Sequence, residues 1–531
     1  MHMKKKILIS DKLAEEGIAI LKKNSAFEVV YKTGLSEEDL KKEIKDAHGL
    51  IIRSATKANA NVIAVAEKLQ VIARAGVGLD NVDIGKATEK GVVVMNTPGG
   101  NTISTAEQAI SMLFALARKT TFADASMKKG EWEKKLFEGT ELRGKTIAVI
   151  GLGRIGTEVA KRCKALAMRV IGYDPFIAKE ALSKSEIEIV DLEDIWREAD
   201  FITVHTPLTD QTRDLINKDV IKKLKPTVKL INCARGGIYN EQDIYDALKE
   251  KKIAGAALDV FTQEPPKTLP PFHELGNSVV LTPHLGASTE EAQVAVAIEA
   301  AENVAEYLLS GVARNSANFP SLEVNEYNFL KPYVDLVEKM GALQGAVMGG
   351  KVSEVGIYYT GVFGNYNLSP LTASYIKGLI SPYTDMSINF VNAPFVAKER
   401  GIKIQIGEDQ DSRDYSHLII IKVKGDEGEN EIWGTVIGNQ PWIVKFNEYL
   451  IDFIPSGKMI IMHNNDVPNV VGSIGTFLGK KGVNIANLHL ARTKRGGKAL
   501  VMIEVDDVMD KETLDEMGKL PEILDLKFVS V

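Results

Sequence analysis

Arg235, Glu264 and His284 are the three residue types needed to move a hydride at a carbon that carries a hydroxyl next to a carboxylate. Oxidising such a carbon requires a base for the hydroxyl proton. A histidine suits that task because its ordinary pKa lies near neutrality. A carboxylate fixes the imidazole tautomer and stabilises the charged ring. An arginine offers a planar fork to the substrate carboxylate and polarises the carbonyl in the reverse direction. Each of the three also has a plain reading by itself: a surface ion pair, a cap before Pro265, a hydrogen-bonded loop histidine. The reading as a set rests on their order along the chain and on what precedes them. His205 is a rival histidine, expected in a structural or cofactor-lining role because no arginine and glutamate accompany it.

What precedes them is a dinucleotide loop. Gly151, Gly153 and Gly156 fit G-x-G-x-x-G between an apolar strand that ends at Ile150 and a helix. Gly151 permits the tight turn, Gly153 lets the backbone approach a pyrophosphate, and Gly156 lets helix and strand pack closely. Asp174 closes the following strand at roughly the 20-residue spacing of a ribose-binding acid. Its carboxylate would repel a 2′-phosphate, so NAD is expected over NADP. Arg169 is the nearby basic residue in the preceding strand, and it lies too early to meet such a phosphate.

These side chains need a parallel sheet whose strand ends present them. The segments Ile7 to Ser10, Glu28 to Tyr31, Gly49 to Arg53 and Val71 to Arg74 are strand-like, and the stretch Asp11 to Lys22 has helical spacing. After a long amphipathic helix, Thr102 to Arg118, a second α/β unit starts at Lys145. Strands are expected at 169–173, 201–205, 228–232, 254–258 and 279–281, with a helix from Gly156 to Leu166. Alternation of this kind reads as α/β, with a doubly wound nucleotide-binding sheet. Arg235, Glu264 and His284 each fall just past a strand, at the edge where open α/β sheets bind ligands. The stretch Thr289 to Ser310 is expected to carry the chain back to the first unit.

From Asn315 to Asn325 the chain is polar and turn-rich, as a linker would be. Residues 326–455 mix helices and strands with no catalytic signature. From Met459 the order reads βαββαβ, a ferredoxin-like unit. A chain of 531 residues with 45% hydrophobic and 26% charged residues implies several globular domains. The net charge of −6 argues against nucleic-acid binding, and no apolar stretch approaches a membrane span. Cys163 and Cys233 make no metal-ligand spacing; a reduced, cytoplasmic protein without a metal is the expectation.

With these residues on the page, the sequence resembles the D-isomer-specific 2-hydroxy acid dehydrogenase family. The matching segments are Gly151–Gly156 with Asp174, Asn232–Gly237, Leu258–Pro265 and Pro283–Ser288. The resemblance implies that the family's Arg-Glu-His machinery is Arg235, Glu264 and His284. It implies cofactor contacts from Arg154, Ile155, Asp174, Thr206, Cys233, Ala234, Asp259 and Gly286. It further implies a Rossmann-like NAD-binding domain, 99–289, inserted in a flavodoxin-like substrate domain made of 1–98 and 290–314. An α+β intervening domain, 315–456, would follow. The tail, 457–531, is similar to an ACT domain, an amino-acid-sensing module, through Asn464–Pro468 and Gly482–Ile485. Its implied effector site is Asn464, Asp466 and Asn484, with L-serine as the ligand. Asn469 departs from the glycine usual after the proline, but asparagine tolerates positive φ.

This order of parts resembles the long, ACT-bearing phosphoglycerate dehydrogenase branch of the family. That likeness implies 3-phosphoglycerate as substrate, gripped by Arg53, Arg74 and Asn101, with Lys134 and Lys135 lent across a dimer interface. It implies a homodimer or homotetramer. The rival readings are a glyoxylate, hydroxypyruvate or lactate-type reductase, and an NAD-sensing binding protein without turnover.

Overall fold

Five short runs rich in Val, Ile and Leu form the first sheet of the computed structural model, which describes residues 4–177, 187–267, 269–319, 324–384, 386–409 and 415–531. They are β1 (Lys5–Ile9), β2 (Phe27–Tyr31), β3 (Gly49–Ile52), β4 (Val71–Arg74) and β5 (Val93–Met95). All pair in parallel in the order β2-β1-β3-β4-β5, the flavodoxin-like order. The first helix starts at Glu15 rather than Asp11. Asp11 is held out of it: its buried carboxylate accepts from the amides of Arg53 (2.6 Å) and Thr56 (3.1 Å).

The second sheet has seven parallel strands: β6 (Thr146–Ile150), β7 (Arg169–Tyr173), β8 (Glu188–Ile189), β9 (Phe201–Val204), β10 (Lys229–Asn232), β11 (Gly255–Leu258) and β12 (Val279–Leu281). Their order, β12-β11-β10-β9-β6-β7-β8, reverses between β6 and β9, and ligands bind at such a switch point. Every residue of β6, β9 and β11 is buried, because helices cover both faces of a parallel sheet. Each fully buried Val, Leu or Ile side chain contributes about 1.5–3 kcal/mol. The two-residue β8 escaped the sequence reading because it is too short to show a periodicity.

Two connections join these sheets. The outgoing one runs from β5 into the helix Thr102–Arg118. The returning one is the helix Glu290–Ser310, capped by Thr289 Oγ1 accepting from the amide of Ala292 at 3.2 Å and ended by Gly311 at φ 79°. Its Val296, Ala297, Ala300, Ala301, Val304 and Leu308 complete the core of the first sheet, as the spacing of residues 289–310 predicts. The polar segment that follows is no loose linker up to Phe319. Ser316 bridges to Met95, Ala317 N–H donates to Val94 O at 2.8 Å, and Asn318 Oδ1 accepts from the amide of Val94 at 2.8 Å. The chain is fastened along the free edge of β5.

The remaining residues form two sheets around a shared core. The third sheet is β13 (Val352–Thr360), β14 (Lys403–Glu408), β15 (Leu418–Gly425), β16 (Gly428–Ile437), β17 (Gln440–Phe446) and β18 (Tyr449–Phe453), ordered β14-β13-β15-β16-β17-β18. The fourth is β19 (Lys458–Asn465), β20 (Ile485–Arg492), β21 (Lys498–Val505) and β22 (Ile523–Ser530), antiparallel in the order β20-β21-β19-β22. With the helices Val470–Lys480 and Lys511–Met517 this is the ferredoxin-like βαββαβ order read from the sequence. Asn469 adopts φ 75° before the first of these helices, so the turn keeps the left-handed conformation a glycine would supply. The helix Val324–Val347 contributes Leu330, Leu336 and Met340 to a core that also holds Ile461, Leu500 and Met502 of the fourth sheet. Among the described residues no helix is long and apolar enough to cross a membrane.

Candidate active site

The β6 strand ends in Gly151, at φ 91°, where a side chain would meet His205 O at 2.7 Å. A Cβ on Gly156 would lie 1.9 Å from Gly151 O, so only glycine lets the helix Arg154–Ala165 start this close to the strand. That helix begins two residues earlier than its sequence periodicity suggests, and Gly153 at its N-cap position supplies no side-chain cap. The first amides are left for a ligand, and nothing lies within 4 Å of a Cβ placed on Gly153. Ile155 packs partly against the core below the loop.

Asp174 stands beside this loop. Its Oδ2 accepts from the amide of Leu152 at 2.9 Å and its Oδ1 from that of Phe176 at 2.9 Å, which fixes the carboxylate against the glycine loop. Arg169, at the far end of β7, is taken up by Glu188 (2.8 Å) and Glu198 (2.7 Å). No cation is thereby directed at a 2′-phosphate from that strand. Two further polar atoms face the cofactor loop without partners: Thr206 Oγ1 and His205 Nδ1. The imidazole of His205 is enclosed although the residue keeps some surface, and burial holds its pKa down at about 4. It is a neutral ring, bonded at 3.0 Å to Thr203 Oγ1. These donors and acceptors, the uncapped helix start and the open space over Gly153 fit a dinucleotide.

His284 lies in the loop after β12 with φ 55°, in the left-handed region. Its Nδ1 meets Glu264 Oε2 at 2.6 Å. Burial opposes ionisation of Glu264, but the His284 hydrogen bond, the Phe261 amide at 3.0 Å and the nearby Arg235 outweigh it, and the carboxyl stays below its usual range. The other imidazole nitrogen, Nε2, is left for substrate.

Asp259, a cofactor contact by resemblance, is engaged within the chain by the loop that follows β12. The residue is fully buried at the end of β11, its Oδ1 accepts from the amide of Leu285 at 2.8 Å, and its Oδ2 accepts from that of Gly286 at 3.0 Å. Gly286 O in turn accepts from Thr105 Oγ1 at 3.1 Å. Asp259 therefore ties down the loop that presents His284. Cys233 is buried at the end of β10, and desolvation followed by the charge of Asp259 pushes its thiol far up. Ala234 N–H is held by Asn232 Oδ1 at 3.0 Å, and Asn232 Nδ2 donates to Arg235 O at 2.8 Å, so the turn that aims Arg235 is rigid.

Arg235 reaches across to the first sheet. Its Nε lies 3.5 Å from Asp80 Oδ2, and a Cβ on Gly78 would sit 2.2 Å from its Nη2. Asp80 and Gly78 were missed as site residues; the Gly76–Gly78 turn was the available signal. Arg74 and Arg53 project from the neighbouring strand ends of β4 and β3. Burial lowers the Arg74 guanidinium to about 10, aided by the positive charge of Arg235, and its Nε has no partner. Arg53 Nη1 donates to Lys12 O at 3.2 Å. Asn101 Oδ1, at the start of the outgoing helix, is buried and unpartnered. Arg74 lies within electrostatic reach of both Arg235 and Arg53, and Arg235 in turn acts on Glu264 of the Glu264–His284 pair.

Two groups are not brought into place within one chain. Lys134 and Lys135 sit on an exposed turn beside Trp132, which is 79% exposed, and among the described residues no hydrogen bond joins either lysine to the cleft. In the last unit, Asn464 pairs with Ala499 on β21 whereas Asn484 precedes Ile485, which pairs with Val505. At about 3.3 Å per strand residue this separates Asn464 and Asn484 by roughly 20 Å. Asn464 is buried with Oδ1 unpartnered, Asp466 Oδ2 accepts from Arg492 Nη1 at 2.8 Å, and Asn484 Nδ2 donates to Asp506 Oδ2 at 2.7 Å.

Comparison with known proteins agrees with this geometry. Residues 110–286 match the D-isomer specific 2-hydroxyacid dehydrogenase NAD binding domain, and residues 329–447 match the D-3-phosphoglycerate dehydrogenase intervening domain. The D-lactate dehydrogenase of Aquifex aeolicus, solved with NAD and lactic acid, superposes with a TM-score of 0.52 at 26% identity, covering 59% of this chain and all of that one. The Escherichia coli D-lactate dehydrogenase gives the same TM-score of 0.52 at 26% identity over 59% of this chain and 99% of its own. The D-3-phosphoglycerate dehydrogenase of Archaeoglobus fulgidus is 43% identical over 99% of this chain and 100% of its own length, and that of Bacillus subtilis 38% over 99% of both. The chain belongs to the D-3-phosphoglycerate dehydrogenase family of NAD-dependent dehydrogenases.

Proposed function

We infer that this protein oxidises the C2 hydroxyl of D-3-phosphoglycerate to 3-phosphohydroxypyruvate with NAD, the first step of L-serine synthesis in the cytoplasm. One observation carries the choice of substrate. Arg53 and Arg235 both act on Arg74, and Arg235 also acts on Glu264 of the Glu264–His284 pair; a substrate with a carboxylate alone needs only one of these guanidiniums. Two cations remain for a phosphate. The lactate-type dehydrogenases superpose on only part of the chain, whereas the phosphoglycerate dehydrogenases align with nearly all of it.

In this reading Arg235 takes the substrate carboxylate and polarises the C2 oxygen, while Arg53 and Arg74 take the phosphate and Asn101 Oδ1 accepts a substrate hydroxyl. His284 Nε2 receives the C2 hydroxyl proton. Glu264, already bonded to Nδ1, stabilises the imidazolium that results. Bound NAD supplies the hydride acceptor. Gly151, Gly153, Arg154, Ile155 and Gly156 hold its pyrophosphate, Asp174 its ribose, and Thr206 Oγ1, Cys233, Ala234 and the Asp259–Gly286 loop line the nicotinamide side.

We assign residues 457–531 to a serine-sensing unit and residues 315–456 to the intervening domain. Asn464 and Asp466 lie at one end of the last sheet and Asn484 at the other, so one effector site built from all three needs two copies of the chain. The exposed Trp132, Leu136 and Met127 support a second contact between copies, with Lys134 and Lys135 reaching the partner's cleft.

The test is NADH formation from NAD with D-3-phosphoglycerate, D-lactate and glycolate, with and without L-serine. Turnover confined to the phosphorylated acid is expected. Equal turnover on D-lactate would move the protein to the reductase branch. Serine should slow the full chain and leave a form ending after Phe319 unaffected; equal inhibition of both removes the proposed sensing site.

A further inference from the structure

Glu299 stands on the returning helix, where the two connections between the parallel sheets pass each other. Its carboxylate lies beside the Gly99–Gly100 segment of the outgoing connection, whose backbone amides favour its charged form. Its Oε1 also accepts from Asn315 Nδ2 at 3.0 Å, where the chain begins its tie-down along β5. The Arg154 guanidinium comes to the same spot: a Cβ on Gly99 would lie 3.5 Å from Glu299 Oε2 and 3.8 Å from Arg154 Nη1. One turn earlier on the helix, Val296 packs flush on Gly100, whose Cβ would lie 2.7 Å from Val296 Cγ1. Burial raises the Glu299 carboxyl, with Arg154 and the two glycine amides opposing the shift.

A half-buried carboxylate is costly, and the returning helix needs only an apolar residue to cover the first sheet. What the carboxylate adds is a junction. It grips the segment that leads directly into Asn101, and it faces the arginine of the dinucleotide loop.

We propose that Glu299 is a positioning residue that holds the Gly99–Asn101 segment for substrate and, through Arg154, couples cofactor occupancy to substrate affinity. The proposal rests on the reading of Asn101 and Arg154 given above. Coupling of this kind is reciprocal: if substrate tightens the cofactor by some factor, cofactor tightens substrate by the same factor.

The experiment measures the NADH dissociation constant by fluorescence with and without D-3-phosphoglycerate, for the full chain and for Glu299→Ala and Glu299→Gln. The ratio of the two constants is the coupling factor, expected at about fivefold or more for the unaltered protein. In Glu299→Ala it falls toward one, and the substrate KM rises about tenfold while kcat changes less, because Asn315 Nδ2 loses its acceptor and the Gly99–Gly100 segment the carboxylate beside it. In Glu299→Gln the side-chain oxygen can still accept from Asn315 Nδ2 and fill the space beside the glycines, so KM recovers to within about threefold, but the lost charge beside Arg154 keeps the coupling factor low. A merely structural role would lower the melting temperature and leave KM and coupling untouched in the folded fraction, and that result overturns the proposal. So does a coupling factor of one in the unaltered protein. If Glu299→Ala does not fold, the Glu299→Gln coupling factor decides alone. Should D-3-phosphoglycerate not be turned over, the substrate reading fails by itself, and the same ratio is measured with whichever D-2-hydroxy acid is accepted.

Discussion

Glu264 meets Nδ1 of His284 at 2.6 Å, and His284 is held to that contact by a backbone in the left-handed region, φ 55°. The imidazole is therefore committed on one edge and free on the other. Replacing Glu264 by Gln should leave NAD binding in place and reduce kcat by about 100-fold, the size of a typical positioned acid–base contribution. The stability of the variant should also depend on pH differently. The Glu264 carboxyl sits below its usual range in the fold, so its ionised form favours folding at neutral pH. That contribution is complete above the unfolded value of about 4.3 and drains away as pH falls through the folded value. Melting temperatures of the two proteins should thus differ at neutral pH and converge in acid; a constant gap would contradict the depressed carboxyl.

Asp259 acts on the same histidine without being able to touch substrate. It is fully buried and accepts from the amides of Leu285 and Gly286. Asp259→Ala takes the acceptor from the Leu285 and Gly286 amides, the Thr282 hydroxyl and Gln108 Nε2, at a cost of about 2–5 kcal/mol. Chemical denaturation should register that loss, and kcat should fall with it because the loop carrying His284 slackens. Unchanged kcat in a destabilised but folded variant would show that the loop is held by other means.

Arg74 is expected to trade stability for binding. Burial, with help from Arg235, lowers its guanidinium to about 10, so the charged form is disfavoured by folding throughout the neutral range. For a base with a lowered folded pKa, this penalty is whole below the folded value and relaxes as pH rises through it. Arg74→Gln should therefore melt no lower than the unaltered protein, and higher if the side chain packs. Its KM for D-3-phosphoglycerate should rise at least about tenfold, about 1.4 kcal/mol of binding. Inorganic phosphate should raise the melting temperature of the unaltered protein more than that of the variant. A KM shift shared equally by D-lactate would place Arg74 outside the phosphate site.

Gly78 tests the aim of Arg235 from the other side of the cleft. A Cβ there would lie 2.2 Å from Arg235 Nη2, while the residue is absent from the positive-φ positions, so alanine is tolerated by the backbone. Gly78→Ala should displace the guanidinium, lower kcat/KM by about tenfold or more and leave the melting temperature nearly unchanged. Unimpaired kcat/KM would mean that Arg235 adopts another rotamer when substrate binds.

The sequence made the dinucleotide loop legible because G-x-G-x-x-G and Asp174 are local signals with a fixed spacing. The strands β6, β9 and β10 were legible because continuous apolar runs mark strands buried on both faces. The six-stranded sheet was not, although Gly438-Asn439, at φ 57° and 67°, is a two-residue hairpin signal that sets the register of β16 on β17; the rest of 326–455 offers no comparable signal for the strand order. Asp80 and Asp259 show a different limit. Each is a single acid in a loop or at a strand end, and its role comes from residues far along the chain: Arg235 for one, Leu285 and Gly286 for the other. Asn464 and Asn484 were grouped as one effector site through the resemblance to an ACT domain, which does not say whether one copy of the chain holds both. The antiparallel pairing of β19 and β20 with β21 sets them at opposite ends of the sheet.

The core shared by the helix Val324–Val347 and the last sheet has a consequence for how this protein can be divided. Ile461, Leu500 and Met502 on one side and Leu336 and Met340 on the other are buried in one continuous apolar cluster, with no polar seam between them. A recombination event or a protease acting at the short Ile454–Gly457 connection would bare both halves of one oil-like layer. The unit that can be transplanted onto another dehydrogenase, or lost from this one with the remainder intact, begins at the helix rather than at the last sheet.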